Sequence, residues 1–541
     1  MAGNSLIRLN TGLWIIPIGI VLSVFLLLSF FNCPQSDDYY YSLWMRDWGF
    51  ADSNITIYFG WGGRYFSNIL LTLFNPLSYS TDYQENLIPY QLHSVFHILL
   101  LCFSGKILCQ RIEFVPNPWL VLVPIIFFFQ KAASLNEFLY WFAGTATYCS
   151  GVIYGLLALS AAIDLRQQSK AGIKPSISLP KKPFTQIFLI LSAILIVVFR
   201  KNFIALLNAI PLIPLILITA AITSVFAFLN SGKLNSANKT LVSLCFSVFA
   251  SAGCSEIAGV ILVICFGLFF LLQFRNTSIR DYRPALPLVI SMVALGANIL
   301  APSTANREGT VNPALINNVA KSLESALEIL SGLIDTIPCI ATALILSLLY
   351  RKHSPEISKN EIAIQVGAGL AFCLMICGIL PFALWMKAGE LPGRAINVLQ
   401  IVSFLTLFLV FFQTGSLIRK WIPQIGFRGL AALQMILPAS LFFTPGTNNI
   451  RLAIEDLSSG QARGFYREYC KEQEAIRNCR EKVCELDPMH FKPKIISSSS
   501  NAVVLGEDPP AWVSYKNNSY AAYFGKKEII RQAARRNEPK Q

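Results

Sequence analysis

Apolar runs separated by short polar segments make up most of the chain as far as about residue 446. A run of about 17 to 25 apolar residues is long enough to cross the hydrocarbon core of a bilayer as a helix. The pattern predicts about 13 spans, at 12–31, 88–110, 117–134, 147–165, 184–199, 203–229, 240–252, 257–274, 284–301, 327–350, 362–386, 396–418 and 428–444. Residues 61–80 have helical spacing interrupted by Asn and Pro, which predicts a helix at the membrane surface.

The first run follows Arg8 and has the character of the apolar core of a signal peptide. It is longer than an ordinary core of that kind, and no small-x-small cleavage site separates it from Asp37 and Asp38. We therefore expect this run to be retained as a membrane anchor.

After residue 446 the apolar runs stop, which predicts a small α/β domain over 447–541. A helix is expected from Arg451–Asp456 through Tyr466 and Tyr469. A short strand is expected at Ala502–Leu505, and a turn packed by an indole at Pro509–Trp512. The preceding 1–446 form the predicted transmembrane domain, with 32–87 as its first outer loop.

Composition places the chain among polytopic membrane proteins. Of 541 residues, 54% are hydrophobic and 14% are charged, whereas an ordinary soluble domain has roughly 25% charged residues. The net charge of +14 lies in segments between the spans, so lipid phosphate and membrane topology explain it better than nucleic acid does.

Cysteine spacing excludes two common kinds of site. None of the 13 cysteines forms a Cys-x-x-Cys pair, so neither a zinc ribbon nor a thioredoxin-type site is indicated. Cys470, Cys479 and Cys484 allow one disulfide and one thiol in an oxidising compartment, and their spacing does not select the pair.

The distribution of Lys and Arg predicts the orientation. Alternate loops hold 19 of them on the side of the N-terminus and 9 on the opposite side. The positive-inside rule therefore predicts a cytoplasmic N-terminus and places 447–541 outside the membrane.

Two adjacent carboxylates, Asp37 and Asp38, follow the first span directly. An acid at the membrane edge costs several kcal/mol unless it is paired or hydrated, so function is one reading of this pair and a solvated loop is the other. A general base and a divalent-cation site both suit the residue types. We expect Asp38 to carry the chemistry, with Asp37 orienting the acceptor, pairing with Arg64 or capping the next helix.

Three arginines on the same predicted side, Arg64, Arg307 and Arg394, each lie beside Gly, Pro or Asn in a short loop. There a guanidinium and the backbone can both approach a phosphate, which predicts an anion site that needs no metal. Independent anchoring of each Arg at the membrane interface is the alternative.

Further polar and aromatic residues fall on that side and are expected to line a substrate pocket: Tyr40, Trp61, Tyr65, Glu137, Trp141, Glu256 and Glu390. For the aromatic members, an interfacial belt is the alternative interpretation.

Seven segments in order along the chain carry a resemblance to known proteins: Asp37–Tyr41, Trp61–Ser67, Glu137–Tyr148, Ser255–Gly259, Ala301–Arg307, Pro392–Ala395 and Trp512–Tyr523. With them, the chain resembles the GT-C superclass of integral membrane glycosyltransferases, and within it an uncharacterised bacterial multi-pass family. It departs from the expected Pro-Gly-Asn before Arg307, reading Pro-Ser-Thr-Ala-Asn instead.

The resemblance implies transfer of a sugar from an undecaprenyl-phosphate donor to a glycan or lipid acceptor, on the outer face of a bacterial inner membrane. It implies that Asp37 or Asp38 assists the attacking hydroxyl. Two alternatives remain: a flippase or other transporter of lipid-linked oligosaccharide, and an O-antigen polymerase or ligase. A transporter should place charges near the midplane and repeat its broken helices.

Overall fold

The computed structural model describes residues 2–112, 115–170, 236–274, 285–303, 315–349, 359–381, 392–421, 441–442, 446–496, 503–504 and 511–531. Helices dominate these residues. They are α1 (Ala2–Ser29), α2 (Asp37–Thr56), α3 (Tyr65–Leu73), α4 (Tyr83–Gln110), α5 (Leu122–Lys131), α6 (Phe142–Gly144), α7 (Ser150–Lys170), α8 (Ser236–Cys254), α9 (Glu256–Phe274), α10 (Leu286–Ile299), α11 (Leu315–Ser331), α12 (Ile337–Leu349), α13 (Lys359–Leu374), α14 (Gly393–Trp421), α15 (Asn449–Ser458), α16 (Gln461–Asn478) and α17 (Ala511–Tyr523).

Short π-helical turns at Ile57–Trp61, Asn136–Tyr140, Thr145–Cys149 and Met375–Ile379 extend or join these helices. Turns of 3₁₀ helix lie at Pro76–Ser78, Pro118–Val121 and Gly332–Thr336. Three strands, β1 (Val483–Leu486), β2 (Val503–Val504) and β3 (Glu528–Arg531), complete the described elements.

The prediction of a helical membrane protein is confirmed in part. By length and composition, four helical stretches within the described ranges are long and apolar enough to cross a membrane: Tyr83–Gln110, Phe142–Gln168, Ala320–Leu348 and Gly393–Gly415. Shorter apolar helices cover Ile16–Ser29, Pro118–Lys131, Glu256–Leu271, Leu286–Ile299 and Ala363–Ile379. The spans at 184–199 and 203–229, and nearly all of 428–444, lie outside the described residues, so the total of 13 stays a prediction.

The chain divides into two compact units. The first unit contains Met1–Ser36, Asp82–Cys149 and Thr310–Gln541, and the second contains Asp37–Thr81 and Ser150–Gly309. The tail beyond residue 446 belongs to the first unit. The predicted first outer loop is helical over most of its length, and a helix is present within 61–80 as α3. Its location at the membrane surface stays a prediction.

Small residues bring the helices of the second unit close together. Its core includes Ala158, Ala161, Ala162, Leu165, Leu244, Val248, Ala252, Leu262, Phe266 and Ala294. A Cβ atom on Gly151 would lie 3.2 Å from the Cβ of Ala258, and the Ser251 hydroxyl donates to the Gly151 carbonyl at 2.7 Å. Close backbone approach with side-chain hydrogen bonds is typical of helix packing in membranes.

Aromatic side chains pack the first unit. The ring centroids of Phe25 and Phe129 are 5.2 Å apart and nearly perpendicular, and the Tyr140 hydroxyl donates to the Phe25 carbonyl at 2.9 Å. The tail packs onto the same helices, because the Asn449 amide donates to the carbonyls of Phe129 and Ala132 at 3.1 and 2.8 Å.

The tail combines helices with a parallel sheet in the order β1–β3–β2. Val483 pairs with Glu528 and Val503 with Ile530, so the central strand is β3. A disulfide joins Cys479 to Cys484, which leaves Cys470 as the thiol. Of the three pairings that the spacing of these cysteines allows, the disulfide is the one that closes the shortest loop.

Two local expectations in the tail are wrong. The helix predicted from Arg451 through Tyr469 is two helices, because Gly460 adopts the left-handed φ of +77° between the end of α15 and the start of α16. Trp512 lies in the first turn of α17 rather than in a turn of the loop, while Pro509 and Pro510 lie outside the described residues. The strand expected at Ala502–Leu505 is present as β2.

Candidate functional site

The two adjacent acids lie in the first turn of α2. Asp38 is fully buried, whereas Asp37 is partly exposed. Carboxylates at a helix N-terminus interact favourably with the helix dipole. Ser36, directly before them, has φ +52°, a left-handed conformation that costs a non-glycine residue about 1–3 kcal/mol and occurs most often at functional sites.

Asn68, within α3, and Asn75, just after this helix, fix the loop before Arg64 and the backbone at the start of α2. The Asn75 amide donates to the Asp38 carbonyl at 2.6 Å, and the Asn68 amide donates to the Gly62 carbonyl at 3.1 Å. The rings of Tyr40 and Trp61 are 6.1 Å apart. These contacts join the first turns of α2 to the segment that leads into Arg64.

Arg64 pairs with Glu256, the first residue of α9. Its Nε donates to the two carboxylate oxygens at 3.0 and 2.9 Å. The two side chains are 26% and 31% exposed, so the pair is accessible to an anion in solution or at a lipid headgroup. The sequence placed both residues among the candidates without indicating that they pair.

The loop before Arg64 fits tightly against α10. A Cβ atom on Gly63 would lie 2.1 Å from the Asn298 carbonyl oxygen. The Tyr58 hydroxyl donates to the Ala297 carbonyl at 2.7 Å, and the Tyr65 hydroxyl lies 2.9 Å from the Phe249 carbonyl. Burial raises the pKa of Tyr65 above its ordinary value, so this side chain remains a neutral donor. Only glycine fits at position 63.

Replacing Gly63 tests this close approach. Gly63→Ala should destabilise the protein by about 1–3 kcal/mol, because the loop or α10 has to move to admit the methyl group. Gly60→Ala is the matched control, since a Cβ atom there meets nothing within 4 Å. Thermal unfolding of the detergent-solubilised protein measures both variants. Equal melting temperatures for the Gly63→Ala and Gly60→Ala variants would contradict the close approach of Gly63 to α10.

A second Arg–Glu pair lies in the first unit. Arg394, at the start of α14, donates from Nη1 to Glu137 at 3.2 Å, and its backbone N–H donates to the same carboxylate at 3.2 Å. The guanidinium carbon is 5.5 Å from the ring centroid of Trp141 and 5.9 Å from that of Tyr148. These distances allow cation–π attraction, which holds the charge between two rings.

The candidate residues therefore fall into two groups. Asp37, Asp38, Tyr40, Trp61, Arg64, Tyr65 and Glu256 belong to the second unit, and Glu137, Trp141 and Arg394 belong to the first. Arg307 and Glu390 lie outside the described residues. The sequence analysis does not place Tyr148 in the site, although this residue ends the segment Glu137–Tyr148 that carries the resemblance. Asn68 and Asn75 are also absent from the predicted site, because nothing in the spacing of these two residues indicates a functional role.

The side chains that the structure describes contain no group of three or more His, Cys, Asp and Glu able to hold a metal ion. The divalent cation considered for Asp37 and Asp38 stays a prediction.

Comparison of the chain with protein-family models, with curated proteins and with solved structures found no match. A functional assignment therefore rests on the geometry and the chemistry of the residues described above.

Proposed function

We propose that this protein is a membrane glycosyltransferase of GT-C type, which moves a sugar from a polyprenyl-phosphate donor to a glycan or lipid acceptor at the outer face of a bacterial inner membrane. One observation carries the proposal. A single compact unit holds a partly exposed carboxylate, Asp37, and an accessible arginine, Arg64, on segments joined by the Tyr40–Trp61 contact. An acid and a cation are the groups that such a transfer requires.

In the proposed reaction, a hydroxyl of the acceptor attacks the anomeric carbon of the donor sugar. A new glycosidic C–O bond forms, the bond between that carbon and the phosphate oxygen breaks, and polyprenyl phosphate leaves with the electron pair. Asp37 accepts the hydroxyl proton, and Arg64 stabilises the charge that develops on the phosphate. Asp37 is partly exposed, so we propose it as the carboxylate that meets the acceptor. Asp38 is fully buried, so we propose it as a positioning residue.

Arg64→Gln tests the donor site. Removing a charge-assisted hydrogen bond of about 1.5–3 kcal/mol should raise the Kd for undecaprenyl phosphate roughly 10- to 150-fold. Binding to the protein in nanodiscs measures the effect.

Glu256→Gln is the control that separates donor binding from a structural ion pair. This variant keeps the Arg64 charge and removes a competing anion, so donor affinity should be unchanged or tighter. If both variants weaken donor binding equally, the Arg64–Glu256 ion pair has a structural role and does not bind the donor directly. If neither changes it, Arg64 is an interface anchor.

Arg394, in the first unit, is proposed separately as a phosphate-binding residue, and Arg307 stays one on the strength of the sequence alone. Arg394 supports the proposal because its charge is fixed between Glu137 and two rings while the side chain remains 32% exposed. The same pair of variants, Arg394→Gln and Glu137→Gln, applies to this site. Glu390 stays a proposed pocket residue on the strength of the sequence alone.

The proposed orientation places the tail outside, and the Cys479–Cys484 disulfide supports an oxidising compartment. Asn518→Cys, an exposed position on α17, should react with a membrane-impermeant maleimide in intact spheroplasts. Gln110→Cys, exposed at the end of α4, should react only after permeabilisation. The parent protein, treated in the same way, is the control for labelling of the native cysteines. The reverse pattern would overturn the orientation and move the proposed site to the cytoplasm.

A further inference from the structure

An aromatic ladder lies along α2, directly after the two acids. Tyr40, Trp44 and Trp48 follow one another at intervals of four residues, so they share one face of the helix. The ring centroids of Tyr40 and Trp44 are 4.2 Å apart, and those of Trp44 and Trp48 are 5.1 Å apart with nearly parallel planes. Trp44 is thereby held between its two neighbours.

Two indoles of this cluster are exposed. Trp48 is 43% exposed at the far end of the ladder, and Trp61 is 37% exposed beside Tyr40. The ladder ends at Gly49, where φ is +75°. The Ser53 hydroxyl spans that break, 2.7 Å from the Trp44 carbonyl and 2.6 Å from the Gly49 carbonyl, so the end of the ladder has a defined position.

The charge of α2 distinguishes between two occupants of this aromatic surface. A helix that anchors a protein at the bilayer surface carries Lys and Arg on its polar face, which attract anionic headgroups. Helix α2 instead has four Asp, one of them (Asp38) buried, and one Arg. Asp47 is half exposed next to Trp48, and its carboxylate lies 4.0 Å from Arg46 Nε. An acidic helix repels anionic lipid, so the charge favours a neutral polar ligand.

We infer that the ladder and Trp61 form a binding surface for a neutral glycan, with Trp48 and Trp61 as its two exposed platforms. The C–H face of a pyranose ring is apolar and packs against an indole, while carboxylates such as Asp47 accept hydrogen bonds from its hydroxyls. The surface starts at Tyr40, within one turn of Asp37. Only the identification of this glycan with the acceptor rests on the proposed function.

The binding is measured without donor, on the full-length protein in phosphatidylcholine nanodiscs. The probes are cellohexaose, chitohexaose and maltohexaose, which present β- and α-linked pyranoses, and the readouts are tryptophan fluorescence and saturation-transfer NMR. At least one probe should bind the parent with a millimolar Kd. Trp48→Ala and Trp61→Ala should each weaken that binding about fivefold or more, and Trp48→Phe should restore part of it.

Trp119→Ala is the matched control, because Trp119 is 45% exposed but lies on another segment. The inference is overturned if no probe binds the parent, or if the Trp48 and Trp119 variants bind alike. It is also overturned if brominated phosphatidylcholine quenches the part of the fluorescence that Trp48→Phe removes, since Trp48 is then a membrane anchor. Glycan binding that survives Asp37→Asn while transfer is lost separates this surface from the catalytic step.

Discussion

Asp37→Asn should reduce the rate of sugar transfer by about a hundredfold or more, with the fold and the donor affinity retained. The substitution preserves the size of the side chain and removes the proton acceptor. Asp37 is partly exposed at the start of α2, so the change is expected to disturb few packed contacts. Transfer from radiolabelled undecaprenyl-phosphate sugar under single-turnover conditions measures the rate, and nanodisc binding measures the affinity.

Two other acids of the same helix provide the controls. Asp52→Asn changes a partly exposed carboxylate much farther along α2, outside the proposed glycan surface, and should leave the rate near that of the parent. Asp38→Asn alters a fully buried side chain, so its main effect should be on thermal stability. A large loss of rate in Asp38→Asn with full stability would instead assign the chemistry to Asp38. If both Asp37→Asn and Asp38→Asn transfer sugar at the parental rate, neither acid takes part in catalysis and the glycosyltransferase proposal is contradicted.

Arg531→Met should destabilise the C-terminal sheet by about 3–5 kcal/mol. Arg531 ends β3 and pairs with Glu472 on α16, and the two side chains are only 6% and 8% exposed. The Tyr520 hydroxyl also donates to Glu472 at 2.8 Å. Removing the guanidinium leaves a buried carboxylate without its counter-charge. Hydrogen–deuterium exchange of α17 and β3 in the full-length protein measures the loss.

A surface pair of the same unit is the matched control. Arg477 pairs with Asp82 at 3.3 Å but is 62% exposed, so Arg477→Met should cost about 1 kcal/mol or less. Replacing both Arg531 and Glu472 by apolar residues should recover much of the loss, because no buried charge then remains. Equal exchange in the Arg531 and Arg477 variants would show that the buried pair contributes no more than the exposed one.

Much of the helical architecture is local and follows from the order of residues. The apolar runs at 88–110 and 396–418 are long helices, although α4 begins earlier than its run, at Tyr83 after the Asp82 cap. Amphipathic spacing continues across Gly460, so spacing alone predicts one helix where the left-handed backbone of Gly460 separates two. The two prolines before Trp512 predict a turn, although Trp512 itself lies in α17.

The order of residues predicts long apolar helices, a pair of acids after the first of them, and three arginines beside Gly, Pro or Asn. Hydrophobic periodicity and chain order carry that information because they act over one or two helical turns. The loop expected around Arg394 is instead the first turn of α14. Which arginine pairs with which glutamate depends on the tertiary structure. Arg64 meets Glu256 across 192 residues and Arg394 meets Glu137 across 257, and such contacts depend on how helices pack rather than on spacing along the chain. Tertiary packing also decided that Asp38 is buried and Asp37 partly exposed, since adjacent residues of a helix point in directions about 100° apart.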